Sequence, residues 1–238
     1  MTIEVLFPEL SNLYGDMANI SYLQACMPEV EVIQTNNCQE PRFVTQWVDM
    51  LYLGSMPEQE QELAVRRLLP YRERLKEMIR DGVVVLVTGN AVELFGQYIT
   101  EQAGKTEMLG MFPYYSKRDM ENRHNSMFLG RFEDIPIVGY KSQFSFCYGH
   151  FPGKFIDVTG GFGNNPKDRS EGFRYRNFFA TYLLGPFLVL NPLFTKYLLR
   201  LLGHDDHLAF ESETMEAFRF RKENLEKPGV NFLMGENG

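Results

Sequence analysis

Three short stretches of this 238-residue chain hold side chains that could do chemistry. Phe146-Cys-Tyr-Gly-His150 places a thiol three residues from an imidazole. That is the pairing of a nucleophilic amide or ester hydrolase, in which the imidazole activates the thiol and later protonates the leaving group. In an extended segment an offset of three sends two side chains to opposite faces unless Gly149 bends the strand. A buried, inert Cys147 is therefore the main expectation, and a relocated Cys147/His150 catalytic pair the alternative. Gly203-His-Asp-Asp-His207 offers two imidazoles with Asp205 and Asp206 to a metal, but a polar loop after a helix accounts for it better, and no metal or cofactor is expected. In Gly89-Asn90-Ala-Val-Glu93, Asn90 can cap a helix, Glu93 can complete a capping box and Gly89 can take a left-handed turn. The functional alternative is that this helix start binds a small anion or amino acid, against which Glu93 would partly neutralise the dipole.

These stretches are carried by an alternation of strands and helices. Ile3–Phe7 reads as a strand, residues 17–26 as a helix, Val30–Gln34 and Met50–Leu53 as further strands, and Glu58–Arg80 as a helix interrupted at Pro70. Val83–Thr88 is a continuous apolar run, as expected of a strand buried on both faces of a parallel sheet. Such alternation predicts a doubly wound sheet with ligands at the carboxyl ends of its strands, which gives weight to the loops after Phe7, Leu53 and Thr88. From about Met108 to Val158 the texture changes to short aromatic strands, predicted to extend the sheet antiparallel. Phe178–Leu202 is apolar over a bilayer's width, yet Gly185-Pro186, Asn191-Pro192, Lys196 and Arg200 interrupt it. It reads as strand, turn and helix, with no membrane insertion.

Thirty-one acidic against 24 basic residues, a net charge of -7, argue against a nucleic-acid partner. The basic clusters Arg174–Arg176 and Arg219–Lys222 are too narrow to reverse this. Three cysteines without a CxxC pair exclude a zinc ribbon and a disulfide framework, so reduced, buried thiols are expected. The N-terminus has no basic region before its apolar run, and a cytoplasmic location is expected. The predicted organisation is a single domain over residues 1–226 with a flexible tail at 227–238.

Four stretches in order carry a family resemblance. They are Phe7-Pro-Glu-Leu-Ser-Asn-Leu-Tyr-Gly-Asp16 with Asn19-Ile20, Leu86-Val-Thr-Gly-Asn-Ala-Val-Glu-Leu-Phe-Gly96, Gly160-Gly-Phe-Gly-Asn-Asn165 with Glu171-Gly172, and Ala180-Thr-Tyr-Leu-Leu-Gly-Pro186 with Asn191-Pro192. They resemble class I glutamine amidotransferases of the cobyric acid synthase type, and within these the glutaminase subunits of lipid II isoglutaminyl synthase. The resemblance implies a three-layer α/β sandwich with a mainly parallel, flavodoxin-like sheet plus added antiparallel strands. It also implies docking on a Mur-ligase-like, ATP-dependent synthetase in peptidoglycan amidation.

The same resemblance places Gly89 where the family has its nucleophilic cysteine and Leu184 where it has its catalytic histidine. Neither residue can attack an amide or move a proton. Gly54-Ser55-Met56-Pro57 stands for the glycine-rich loop that helps form the oxyanion hole, and Pro57 has no N–H to donate. Lys141 and Gln143 replace a family carboxylate and imidazole, while Arg123 fits a substrate-contacting arginine. The expected site is thus an altered pocket of Gly54, Ser55, Met56, Asn90, Arg123, Lys141 and Gln143, with Met56 and Leu184 filling the place of glutamine. The implied protein is a non-catalytic partner subunit. The alternatives are a sensor of glutamine or a related carboxylate in the emptied pocket, or the relocated Cys147/His150 enzyme.

Overall fold

A computed structural model describes residues 1–234. The chain opens with β1 (Thr2–Leu6), α1 (Met17–Cys26), β2 (Glu31–Thr35), β3 (Met50–Leu53), α2 (Glu58–Leu68), α3 (Arg72–Asp81) and β4 (Val84–Thr88). The single helix expected over 58–80 is two helices, divided by a 3-10 turn at Leu69–Tyr71. Pro70 lies in that turn, where the N–H it lacks is not needed. Gly82, in the left-handed conformation at φ 93°, ends α3 and lets its N–H reach the Ile79 carbonyl.

The middle of the chain is β-rich: β5 (Tyr98–Glu101), β6 (Gly104–Glu107), β7 (Tyr114–Arg118), β8 (His124–Phe132), β9 (Ile135–Gln143), β10 (Ser145–Gly149), β11 (Lys154–Gly160), β12 (Ser170–Tyr175) and β13 (Phe178–Thr181). Strands β2, β1, β3, β4 and β13 form a parallel core in that order. Antiparallel β12, β11, β8 and β9 extend it. The antiparallel addition predicted from the aromatic texture is therefore present. It is incomplete as a description, because β10, β7, β5 and β6 make a separate four-stranded sheet.

Helices α4 (Phe187–Leu190), α5 (Pro192–Leu201) and α6 (Glu211–Leu225) follow, and no described helix is long and apolar enough to cross a membrane. The two faces of β4 explain its unbroken apolar run. Val85 and Val87 pack with Leu68, Leu75, Met78 and Ile79 from α2 and α3, while Val84 and Leu86 pack with Ile20 and Leu23 of α1 and Leu198 and Leu199 of α5. Helices thus cover both faces of the sheet, giving three layers.

The stretch expected to fray begins differently. A short β14 (Leu233–Met234) pairs antiparallel with β8, and the Phe232 ring covers Gly160, where any Cβ would collide with it. The end of the expected tail, residues 235–238, lies outside the described residues.

Candidate functional site

The core order β2-β1-β3-β4 changes direction between β1 and β3, so the crevice for a ligand opens where the chain leaves these two strands. Asp16 occupies its floor. Its Oδ2 accepts hydrogen bonds from the Ser55 N–H at 2.6 Å and the Thr88 hydroxyl at 2.9 Å. Its Oδ1 faces Gly185, where a Cβ would collide with it. Burial pushes the Asp16 carboxyl above its ordinary value, and the hydrogen bonds from Ser55 and Thr88 oppose that shift. Tyr52 continues the network: its hydroxyl donates to the Asp16 carbonyl at 3.1 Å and accepts from Asn19 at 2.9 Å. Asn19 in turn accepts the Leu188 N–H at 2.8 Å. The Asp16 and Asn19 side chains of the opening motif therefore fasten the ends of β1, β3 and β4 and the start of α4 to one another, a structural task independent of any reacting group.

The loop after β3 uses its own amides internally. Ser55 N–H is bonded to Asp16, and Met56 N–H donates to Asn90 Oδ1 at 3.0 Å. With Pro57 next, residues 55–57 offer no free N–H to an oxyanion. After β4 the chain turns sharply at Gly89, whose φ of 60° is the expected left-handed turn. A Cβ added at residue 89 would overlap the Cβ of Ser55 and lie 3.3 Å from its Cα. The expected helix with its capping box is absent. Residues 89–95 are a 3-10 helix without a side-chain cap. Asn90 turns away to bridge Met56, donating to its carbonyl at 2.7 Å as well as accepting its N–H. Glu93 points inward, where it pairs with Arg118 at 2.8 Å and accepts from the Tyr182 hydroxyl at 3.0 Å. A buried guanidinium is a stronger partner for that carboxylate than a backbone N–H.

Of the expected pocket residues, Ser55, Asn90, Arg123 and Gln143 line one cleft, with Leu184 beside them. Tyr14, Glu58, Ser142 and Phe144 also line it, and sequence reasoning missed them. The cleft measures about 60 Å³, whereas ordinary ligand pockets run to ~300 Å³ or more. Leu184 lines it, whereas Met56, expected beside it, is buried in the core. Gly54 is packed against the Ser11 carbonyl and Asp16.

Lys141 is fully buried instead of lining the pocket. Its Nζ donates to the Gly163 carbonyl at 2.9 Å and lies 3.5 Å from Glu171. Glu171 also accepts from the Thr181 hydroxyl at 2.7 Å and the Tyr182 N–H at 2.8 Å. Burial lowers the Lys141 pKa, and the Glu171 carboxylate opposes the shift. A lysine inside an otherwise β-like run is a legible signal of a buried pair, though the sequence does not say which carboxylate meets it.

The structure keeps Cys147 and His150 apart. Cys147 is buried, with Sγ 3.2 Å from the Ser116 hydroxyl and 3.3 Å from that of Tyr182, and burial pushes its thiol up to about 12. His150 lies beyond the bend at Gly149, exposed, its backbone N–H donating to Pro113 at 3.0 Å. Cys26 is buried as expected, but Cys38 is exposed, contrary to the expectation that all three thiols are buried. In the native protein, Ellman's reagent is expected to titrate about one thiol, Cys38, with the buried pair reacting only after denaturation. Rapid native labelling of Cys147 would contradict this arrangement. The imidazoles of the 203–207 loop pair with carboxylates, His204 with Glu29 at 2.8 Å and Asp205 at 3.7 Å, and His207 with Asp205 at 3.3 Å. No group of three or more potential ligands able to hold a metal occurs among the described residues.

Comparison with known proteins gives a consistent picture. The pattern of the CobB/CobQ-like glutamine amidotransferase domain matches residues 2–192. The GatD subunit of the glutamine-hydrolysing lipid II isoglutaminyl synthase of Staphylococcus aureus (strain N315) is 29% identical over 221 residues, covering 91% of this chain and 90% of that subunit. The corresponding subunit of Streptococcus pneumoniae (strain ATCC BAA-255 / R6) is 28% identical over 210 residues, covering 80% and 76%. Among solved structures, a glutamine amidotransferase superposes with a TM-score of 0.58 at 10% identity over 84% of this chain and 98% of its own. Another, from Thermotoga maritima, gives 0.54 at 10% identity over 94% of each chain. At such identities these two structures speak for the fold alone.

Proposed function

The chain belongs to the CobB/CobQ-like glutamine amidotransferase domain family, and from that premise we propose that it is a non-catalytic subunit of the lipid II isoglutaminyl synthase type. In this reading it docks on a Mur-ligase-like, ATP-dependent synthetase of peptidoglycan amidation and stabilises or regulates it in the cytoplasm. One observation carries the proposal: at the turn after β4, where the family resemblance assigns the nucleophile, Ser55 fills the space that a side chain on residue 89 would need. The kinship to the two GatD subunits supports the type of partner. The internal engagement of the Ser55 and Met56 amides supports the loss of hydrolysis.

The test is co-expression with the Mur-ligase-like synthetase of the same genome, followed by size-exclusion chromatography and an assay of ammonia release from glutamine at high protein concentration. Co-elution without release by this subunit is the expected result. Glutamine-dependent release that vanishes in Cys147→Ala would instead establish a relocated active site. A second reading, a domain that senses an amino acid or carboxylate, is favoured by Arg123. Among the described residues, this arginine at the cleft has no carboxylate partner.

A further inference from the structure

We propose that two copies of this chain associate through α6, packed antiparallel about a twofold axis at Ala217. The inference goes beyond the docking proposal and does not rest on it.

Helix α6 turns one face inward. Phe218 and Leu225 are buried with Leu129 and Val138 of the sheet, and the Tyr22 hydroxyl meets that of Thr214 at 3.4 Å. Charges beside this inner face are paired, Glu211 with Lys196 and Lys222 with Glu226, each at 2.7 Å. The outer face has no cover. Glu213, Ala217, Phe220, Arg221 and Asn224, three and four residues apart, share it. Phe220 is 70% exposed, as is Phe210 at the start of the helix, and no other large apolar side chain among the described residues is as exposed. Phe210 also holds a left-handed φ of 52°, a conformation that strains a bulky residue. Strain kept for an exposed ring points to a use for that ring.

The charges identify the occupant. From Glu211 to Glu216 the helix carries acidic charge alone, and from Arg219 to Lys222 basic charge alone. Neither Glu213 nor Arg221 has an ion-pair partner among the described residues. A helix acidic in its first part and basic further on is complementary to its own reverse. Turned end for end about Ala217, each copy brings Glu213 level with Arg221 of the other, since both lie four residues from the axis. The same operation sets each Phe220 over the turn between Glu213 and Ala217 of its mate, and alanine at the axis lets the two backbones approach.

Magnitudes assign the roles. Exposed ion pairs add little affinity, so the phenylalanine rings supply it and the charges fix the direction of pairing. Glu216 and Glu223 lie to one side of the stripe, where their like charge opposes association. A contact of one helix per copy is also small for a stable interface. The dimer is therefore a weak one.

Sedimentation velocity of the full chain tests this. The dimer fraction should rise across a series from about 1 to 100 µM. Phe220→Ser should weaken dimerisation at least about tenfold, and Glu213→Arg and Arg221→Glu should each weaken it, with melting temperatures unchanged because all three positions are exposed. An equimolar mixture of Glu213→Arg and Arg221→Glu should associate as the parent does, because each variant then meets its opposite charge at both ends. A monomer at every concentration would overturn the proposal. A dimer indifferent to Phe220→Ser and to both charge reversals would overturn it too, having formed through another face. Loss of synthetase co-elution in Phe220→Ser, with the parent monomeric on its own, would assign α6 to that partner instead.

Discussion

Gly89→Cys combined with Leu184→His is expected to release no more ammonia from glutamine than the parent protein. On the family resemblance these two changes restore the missing nucleophile and its imidazole. In comparable enzymes such a unit is worth on the order of 10⁶-fold, roughly 8 kcal/mol of barrier. The geometry blocks its recovery. The new Cβ would overlap that of Ser55, a fully packed residue whose N–H is bonded to Asp16 and whose hydroxyl donates to the Leu13 carbonyl at 3.0 Å. Forcing extra atoms into packed surroundings costs about 1–3 kcal/mol, and placing a non-glycine residue in the left-handed region adds about 1–2 kcal/mol.

A third substitution separates sterics from other causes. The overlap involves the Ser55 Cβ, so Ser55→Ala should not relieve it and Ser55→Gly should. The triple variant with glycine is therefore expected to melt higher than the one with alanine, although glycine by itself usually lowers stability. Equal melting temperatures would show that Ser55 is not the obstruction. Even the glycine triple variant should fall far short of a glutaminase, since Met56 N–H stays bonded to Asn90 and residue 57 has none to offer. Robust ammonia release by the double variant would remove the main support for a non-catalytic subunit.

Lys141→Met is the substitution expected to cost the most stability. Both members of the Lys141–Glu171 pair are fully buried, and removing the ammonium leaves a carboxylate in the core with only the Thr181 hydroxyl and Tyr182 N–H to hold it. Breaking a buried pair from one side costs about 3–5 kcal/mol, which for a domain of this size lowers the melting temperature by roughly 10 °C. Adding Glu171→Gln should cost less than the sum of the two single changes by about 1 kcal/mol or more, the mark of a coupled pair. Additive effects would mean that the two groups act separately.

The same lysine makes a signed statement about pH. Because burial holds its folded pKa below the ordinary 10.5, the unfolded chain binds more protons between the folded value and 10.5. Stability from this group must then rise with pH across that alkaline window. Denaturant titrations of the parent and Lys141→Met at several alkaline pH values should show that increment in the parent only.

The sequence exposed much of the fold because its signals are local. The unbroken apolar run ending at Thr88 fixes β4 as a strand covered on both faces, and residues 17–26 form α1 with the expected bounds. Residues of the family segments hold the framework together. Asp16 and Asn19 join the strand ends, and Asn191 bridges β9 to α4 through the Val138 backbone at 2.8 Å and the Phe187 carbonyl at 2.9 Å. The capping box that Asn90 and Glu93 offer locally gives way to tertiary partners. Met56 offered each Asn90 group a backbone partner, and Arg118 offered Glu93 a charged one.

By itself the sequence determined the parallel core, the family resemblance, and the absence of a thiol at residue 89 and an imidazole at residue 184, since each is a property of residue identity and nearby spacing. Only the tertiary structure decided that Ser55 closes the space beside Gly89, that Lys141 leaves the pocket for Glu171, and that Tyr14 and Gln143 share a small cleft with Arg123. These outcomes depend on how closely separate strand ends approach. Asp16 and Thr88 meet across 72 positions of sequence and Glu93 and Arg118 across 25, and no periodicity within a single element encodes such a meeting.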